Sequence, residues 1–299
     1  MRVASIDIGT NSVLLLVAEI DGSNISEITS NITEPRLGEN LTKSGILSDK
    51  AIAKTISSII KMIAIAKMNG AEKIILFGTE VFRRAKNGAE VAKRIEAETG
   101  ISLKILTPEE EARLSYIGAL MGLPEHQKNI VIDVGSGSTE IAWGGKEPGN
   151  FFSIPIGCVV LTEEFDAIPP LSKNKIENML RAIDERLPFF PKLTANSRLI
   201  GVGGTITTLS AFASNLKKYD SSRVHGNKLS IDYIEKTFLE FSTMTIDEIS
   251  AKIPFAPTRS SIILAGTAVF LALMRKNNFT KIIVSDRGAR WGILEKYRI

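Results

Sequence analysis

The chain has 299 residues, 44% of them hydrophobic and 23% charged, which is enough for about two ordinary domains and too apolar for a disordered protein. Its formal charge of +4 is compatible with a polyanionic partner without requiring one. A single cysteine, Cys158, excludes an intrachain disulfide and suits a reducing cytoplasm, while two histidines, His126 and His225, are too few for a histidine-built metal centre; a divalent cation would need oxygen ligands, which favours Mg²⁺, with Mn²⁺ as the alternative.

Residues 3–20 read as a β-hairpin: an apolar run, the turn Asp7-Ile8-Gly9-Thr10-Asn11-Ser12, and a second apolar run. Asp7 interrupts the only apolar stretch near the start, so no signal peptide is expected. Residues 48–70 have a helical pattern, with Ser48 as N-cap, Ile52, Ile56, Ile59 and Ile63 on one face, and Gly70 as the stop. A buried strand follows over Lys73–Thr79. The helical stretch 80–98 breaks at Asn87-Gly88, where Asn87 and Glu90 have the spacing of a capping pair. After a short strand, Leu103–Leu106, the run Thr107-Pro108-Glu109-Glu110 is a strong helix start: Thr at the N-cap, Pro in the first turn, Glu at the third position.

The first pattern then recurs. Residues 130–145 repeat the hairpin around Asp133-Val134-Gly135-Ser136-Gly137-Ser138, with Asp133 lying 126 residues after Asp7. Two such turns at equivalent places argue for a duplicated fold. Phe151–Pro155 extends the sheet, and helices are expected at about 158–166 and 172–188. The strand Ser197–Val202 runs into Gly203-Gly204-Thr205, which opens another helix. Helices near 231–241 and 258–275 precede the strand Lys281–Ser285 and a last helix from about 287. The apolar run Ile262–Met274, closed by Arg275, is shorter than a membrane span and reads as a buried helix. Strands alternating with helices make the fold class α/β. The Gly- and Pro-containing stretch Gly122–Asn129 places the boundary between domains 1–124 and 125–299, with the last helix, about 287–299, packing back on the first.

A tight turn of small residues aims backbone N–H groups and hydroxyls at one point, which suits phosphate oxygens. Asn11 and Ser12 in the first turn, and Gly135, Ser136, Gly137, Ser138 and Thr139 in the second, are the candidates. Asp133 and Glu140 flank the second turn. Carboxylates beside a phosphate repel it unless a cation lies between, a conflict that Mg²⁺ resolves. Gly203, Gly204 and Thr205 form a third glycine-rich turn whose N–H groups and following helix could hold an anion. Arg83 and Arg84 open a helix after a buried strand, where side chains can reach the C-terminal edge of the sheet and bind phosphate bidentately. Glu109, Glu110 and Glu111 occupy a first helical turn, where acids favour the helix dipole without needing a function; spacing alone selects no catalytic acid among them. Cys158 reads as a small buried residue, His225 as structural or surface, and Trp143 and Trp291 as core or interface aromatics.

Six segments, taken in order, resemble the Ppx/GppA family of exopolyphosphatases and guanosine pentaphosphate phosphatases. They are Ile6-Asp7-Ile8-Gly9-Thr10-Asn11-Ser12, Gly78-Thr79-Glu80-Val81-Phe82-Arg83-Arg84-Ala85-Lys86-Asn87, Glu110-Glu111-Ala112-Arg113-Leu114, Ile132-Asp133-Val134-Gly135-Ser136-Gly137-Ser138-Thr139-Glu140, Gly203-Gly204-Thr205, and Ser285-Asp286-Arg287-Gly288-Ala289-Arg290. The resemblance implies an actin-like, duplicated ribonuclease-H-like fold of two domains with an interdomain cleft. It implies that Glu111 is the catalytic carboxylate and that Arg83 binds phosphate. Asp133 and Glu140, with Asp7, would serve Mg²⁺ and its waters, and Ser138 with neighbouring amides would bind the terminal phosphate. The family usually has three glycines where this chain has Gly135-Ser136-Gly137, so the turn carries an added hydroxyl. Longer members carry further helical domains that this two-domain core lacks, which implies a limited grip on very long polymers.

The implied reaction is Mg²⁺-dependent removal of the terminal phosphate of inorganic polyphosphate by a water that Glu111 activates. Guanosine pentaphosphate presents the same kind of phosphate and is the alternative substrate. Two rival classes are an ATPase or sugar kinase of the same superfold, opposed by the Glu111 and Arg83 segments, and a non-catalytic polyphosphate or alarmone sensor, opposed by the presence of Glu111. Neither a membrane nor a nucleic acid polymer is expected as partner; a symmetric homodimer and a cytoplasmic location are compatible with the chain.

Overall fold

The computed structural model describes residues 1–187 and 197–298. The chain divides into two compact units: Met1–Gly118 together with Ala289–Ile299, and Ala119–Gly288. The sequence reading puts the boundary at 124/125. The stretch 122–129 instead falls inside the second unit, where Arg198 donates to Pro124 O at 2.7 Å and to Asn129 Oδ1 at 2.9 Å.

In the first unit, β1 (Arg2–Ile8), β2 (Val13–Asp21) and β3 (Asn24–Thr33) form an antiparallel meander; β4 (Lys73–Gly78) and β5 (Leu103–Ile105) add in parallel, giving the order β3-β2-β1-β4-β5. A short helix α1 (Leu41–Ser44) precedes α2 (Asp49–Met68), which starts where Ser48 accepts a bond from Ala51 N. Ile52, Ile56, Ile59 and Ile63 of α2 are buried in the unit's core, each contributing about 2 kcal/mol relative to exposure. Helices α3 (Glu80–Arg84) and α4 (Gly88–Thr99) follow β4, and α5 (Pro108–Leu120) follows β5. Asn87 sits at the N-cap of α4, where its carbonyl accepts from Val91 N, but its side chain makes no capping bond. Its side chain spans Leu47 instead, accepting from the N–H at 2.9 Å and donating to the carbonyl at 3.0 Å, so the expected pairing with Glu90 is replaced by a tertiary clamp. The α5 start does follow the expected box: Glu110 N donates to Thr107 Oγ1 and Thr107 N to Glu110 Oε2.

In the second unit, β6 (Asn129–Val134), β7 (Thr139–Gly144) and β8 (Pro148–Ile154) form another antiparallel meander. Helices α6 (Cys158–Phe165) and α7 (Lys173–Arg186) follow; residue 188 of the expected helix lies outside the described residues. β9 (Arg198–Val202) pairs in parallel with β6, and α8 (Gly204–Ala213), α9 (Ser221–Val224), β10 (Lys228–Ser230), α10 (Ile231–Ser242), α11 (Ile246–Lys252), α12 (Ile263–Lys276) and β11 (Lys281–Val284) complete the unit. The order is β10-β11-β9-β6-β7-β8, with β11 parallel to β9 and β10 an antiparallel edge. Without β10 this is the arrangement of the first sheet, strand for strand. A three-strand meander continued by two parallel strands, present twice in one chain, is the duplicated ribonuclease-H-like arrangement of the actin-like fold.

α12 begins at Ile263, later than the expected 258, because Pro257–Arg259 form a 3-10 turn. Its apolar run is buried in the second core. Among the described residues no helix is long and apolar enough to cross a membrane. The expected last helix is only the turn Ala289–Gly292, followed by a 3-10 turn at Glu295–Tyr297; residue 299 lies outside the described residues. The turn is pressed into the first unit. Ser5 in the middle of β1 donates to Arg290 O at 2.7 Å, Trp291 is buried, and Gly292 lies so close to Leu114 of α5 that a Cβ there would overlap the Leu114 carbonyl.

Candidate active site

The two Asp-x-Gly turns have the same internal geometry. Gly9 N donates to Ser12 O at 2.9 Å, and Gly135 N donates to Ser138 O at 3.0 Å. Each turn is also braced by the segment after the third strand of its meander. Gly38 N donates to Thr10 O at 2.8 Å and Arg36 N to Asn11 O at 3.1 Å; Cys158 N donates to Gly135 O and Val159 N to Ser136 O, both at 3.0 Å. Gly38 faces the Thr10 side chain and Gly157 faces the Ser136 and Gly137 backbone, each at a distance that leaves no room for a Cβ. Thr10 and Ser136 therefore occupy equivalent, clamped positions.

In the first unit, Asp7 is the last residue but one of β1 and lies opposite Leu14, and Asn11 and Ser12 are half-buried in the turn, with Asn11 Nδ2 3.5 Å from Ser12 Oγ. Arg83 of α3 donates from Nη1 to Glu111 Oε2 of α5 at 2.9 Å and to Leu106 O at 2.6 Å. The pair is mostly buried, at 22% and 12% side-chain exposure, and a charge-assisted bond in such surroundings fixes the carboxylate's orientation. Arginine has five N–H donors, so Nε and Nη2 remain to meet an anion. The other two acids of the first turn are engaged elsewhere or exposed. Glu110 caps α5 and bonds Lys104 Nζ at 2.6 Å, which with the Thr107 bond holds its carboxyl below the usual range. Glu109 is exposed. Arg84 pairs with Glu80 at 3.3 Å, and Glu80 in turn accepts from Thr10 Oγ1.

In the second unit, Asp133 and Glu140 are direct cross-strand partners on β6 and β7. Glu140 is buried and accepts from Ser153 Oγ at 2.9 Å. Ser136 and Gly137 sit at the turn tip, and Ser138 is buried beneath it. Thr139 is buried and its hydroxyl donates to Ile156 O at 2.6 Å, while Thr205 is buried against Gly266 of α12. These two hydroxyls are taken up by packing, so any contact with an anion falls to their backbone N–H groups. Gly203 has φ +99°, and a Cβ on it would stand 2.5 Å from Val134 O and 3.2 Å from Asp133 Oδ1; only glycine lets the third turn approach the second this closely.

One residue the sequence reading does not single out belongs to this cluster. The Arg259 guanidinium lies where a Cβ on Gly204 would be. It makes no hydrogen bond or ion pair among the described residues and is half-buried. No local pattern marks it; it follows a 3-10 turn and reaches the glycine turn only through the fold. Its charge also acts on Cys158, but burial prevails and pushes that thiol up, which leaves an inert packing cysteine at the foot of the turn. Gly204→Ala is expected to displace this guanidinium, which can swing aside, and to weaken binding of a phosphate ligand by about tenfold. Thermal stability should stay within about 0.5 kcal/mol; a KM and melting temperature measured together check both halves.

Among the described residues no group of three or more His, Cys, Asp or Glu side chains is placed to hold a metal ion. The donor set nevertheless fits Mg²⁺, which commonly takes one or two carboxylates and completes its shell with water and substrate phosphate; the adjacent Asp133 and Glu140 provide that pair. His225 Nδ1 lies 3.3 Å from Ser285 Oγ, just after β11. Burial and the neighbouring Arg287 charge pull its pKa down to about 4, so it is a neutral structural residue at ordinary pH. Trp143 stacks on Phe152 at 5.4 Å between centroids.

A duplicated actin-like fold carrying two small-residue turns and an arginine-held glutamate is suited to handling phosphoryl groups. The model of the Ppx/GppA phosphatase family matches residues 16–297, and the chain belongs to that family of hydrolases. Exopolyphosphatase 2 of Mycobacterium tuberculosis is 30% identical over 92% of this chain and 90% of its own length. A bifunctional 3-dehydroquinate synthase/phosphatase of Fusobacterium nucleatum is 31% identical over 97% of this chain, which spans only 46% of that relative. Among solved structures, the PPX-GPPA enzyme of Aquifex aeolicus matches with a TM-score of 0.84 and 33% identity over 99% of both chains.

Proposed function

We propose that this chain is an exopolyphosphatase: it hydrolyses the terminal phosphate of inorganic polyphosphate. The observation that carries the reading is the Glu111–Arg83 pair, a mostly buried carboxylate held in one orientation while its arginine keeps donors to spare. The similarity to a mycobacterial protein named an exopolyphosphatase, over nearly the full length of both, supports the choice of substrate.

In this mechanism Glu111 positions a water and takes its proton as the water oxygen attacks the terminal phosphorus; the bond from that phosphorus to the bridging oxygen breaks, and the shortened chain leaves with the electron pair. Arg83 in the first unit, and Arg259 in the second, each supply a guanidinium that would offset charge on phosphate oxygens. The N–H groups of the small-residue turns, Asn11–Ser12 in the first unit and Gly135–Ser138 with Gly203–Gly204 in the second, would fix phosphate oxygens, so that most of the acceleration comes from positioning and electrostatics. Asp133 and Glu140, cross-strand partners in the second unit, would hold Mg²⁺, which when bound supplies charge neutralisation for the phosphates.

Phosphate release measured in parallel from tripolyphosphate, long polyphosphate and guanosine pentaphosphate, at equal enzyme and with Mg²⁺, tests this reading. Polyphosphate is expected to turn over faster than the guanosine compound. Turnover of the guanosine compound alone would replace the proposed substrate, and silence on all three would remove the activity.

A further inference from the structure

The first unit contains eight arginines. Arg2, Arg83, Arg84, Arg94 and Arg298 pair with acids, and Arg113 and Arg290 also have partners. The guanidinium of Arg36 has none among the described residues; Glu34 and Glu39 on the same loop do not pair with it. Its backbone is equally unusual. Arg36 has φ +58°, a left-handed conformation that side-chain-bearing residues adopt when their surroundings impose it.

Here the surroundings are the first phosphate turn. Arg36 N donates to Asn11 O, Gly38 N donates to Thr10 O, and Glu39 N closes back on Arg36 O at 3.0 Å. Leu37 and Leu41 are buried in the core on either side. The loop is thus stitched to the turn through its backbone and anchored by two leucines, while the exposed Arg36 side chain is left over, charged and unpaired, next to Asn11.

A polyphosphate chain carries negative charge on every unit, and the groups that act on its end leave the following units uncompensated. A rigidly based, unpaired guanidinium beside the turn supplies a planar, multi-donor contact for such oxygens. We propose that Arg36 binds the phosphates that follow the reacting one, and so sets the preference for longer chains. The inference rests on the exopolyphosphatase reading.

The test is steady-state kinetics of wild type, Arg36→Ala, Arg36→Gly and Arg94→Ala on tripolyphosphate and on long polyphosphate, over a range of salt. Glycine suits the left-handed backbone, so Arg36→Gly should fold at least as well as wild type and isolates the loss of the guanidinium. Both Arg36 variants are expected to raise KM for long polyphosphate by about tenfold, with a smaller rise for tripolyphosphate, an unchanged kcat and a shallower salt dependence. Arg94→Ala removes an equal charge from a paired surface site and should change neither constant. Arg36 variants matching an active wild type in KM for both substrates would overturn the role of Arg36 alone. A wild type that releases no phosphate from either substrate would overturn the exopolyphosphatase reading, and this inference with it.

Discussion

Glu111→Gln is expected to lower the turnover of polyphosphate by about 10³-fold, within the range for loss of a general base, while leaving substrate affinity within about threefold of wild type. The amide keeps the shape of the carboxylate and an oxygen to accept the Arg83 Nη1 bond, which spans 2.9 Å in the native pair. Fold and anion-binding donors are therefore retained, and only the group that takes the proton is lost. Single-turnover phosphate release with separate titration of substrate binding distinguishes the two effects. Glu109→Gln, an exposed neighbour on the same helical turn, serves as control and should be silent. Activity of Glu111→Gln equal to wild type would remove Glu111 from the chemistry.

Gly157→Ala carries the second large effect. The methyl carbon would stand 2.5 Å from Gly137 N and closer still to the Ser136 carbonyl, all of them backbone atoms. The neighbours cannot swing aside as the Arg259 side chain can, so the segment 156–160 must part from the turn. Its bonds to Gly135 O and Ser136 O would lengthen or break. The expected cost is about 3 kcal/mol, a fall in melting temperature of about 6–12 °C for a chain of this size. Phosphate affinity should fall with it, since the turn loses its brace. A thermal scan and a binding titration of the purified variant check both. An unshifted melting temperature would show that the turn and the segment are not held together as described.

How much of this was legible in the sequence depends on how local the cause is. The Asp-x-Gly turns could be paired at a spacing of 126 residues because both need small residues at the same offsets, and the resulting geometry is the same in both, with matching bonds from Gly9 N to Ser12 O and from Gly135 N to Ser138 O. The start of α5 was readable because a capping box is complete within four residues. Asn87 shows the complementary case: it stands at the N-cap that its spacing to Glu90 suggests, but its side chain serves Leu47, forty residues away. The edge strand β3 has no assignment in the sequence because its outward positions are polar and its burial is irregular. The C-terminal helix proved short because Gly292 and Trp291 are spent on packing against the first unit.

The candidate site divides in the same way. Glycine turns and acid clusters are visible as residue types. Which of Glu109, Glu110 and Glu111 pairs with Arg83 is not, because all three suit the helix dipole equally; the resemblance points to Glu111, and the Arg83 bond is a tertiary contact between residues twenty-eight apart. Arg36 and Arg259 were invisible for a stronger reason. What distinguishes them is a guanidinium without a partner among the described residues, and that is a property of the folded surroundings.

The most direct measurement is product analysis during hydrolysis of a polyphosphate of defined length, resolved by gel electrophoresis at early times with Mg²⁺ present. The account predicts inorganic phosphate as the only small product and chains shortened stepwise from the end. Fragments from the middle of the chain, or no phosphate at all, would contradict it.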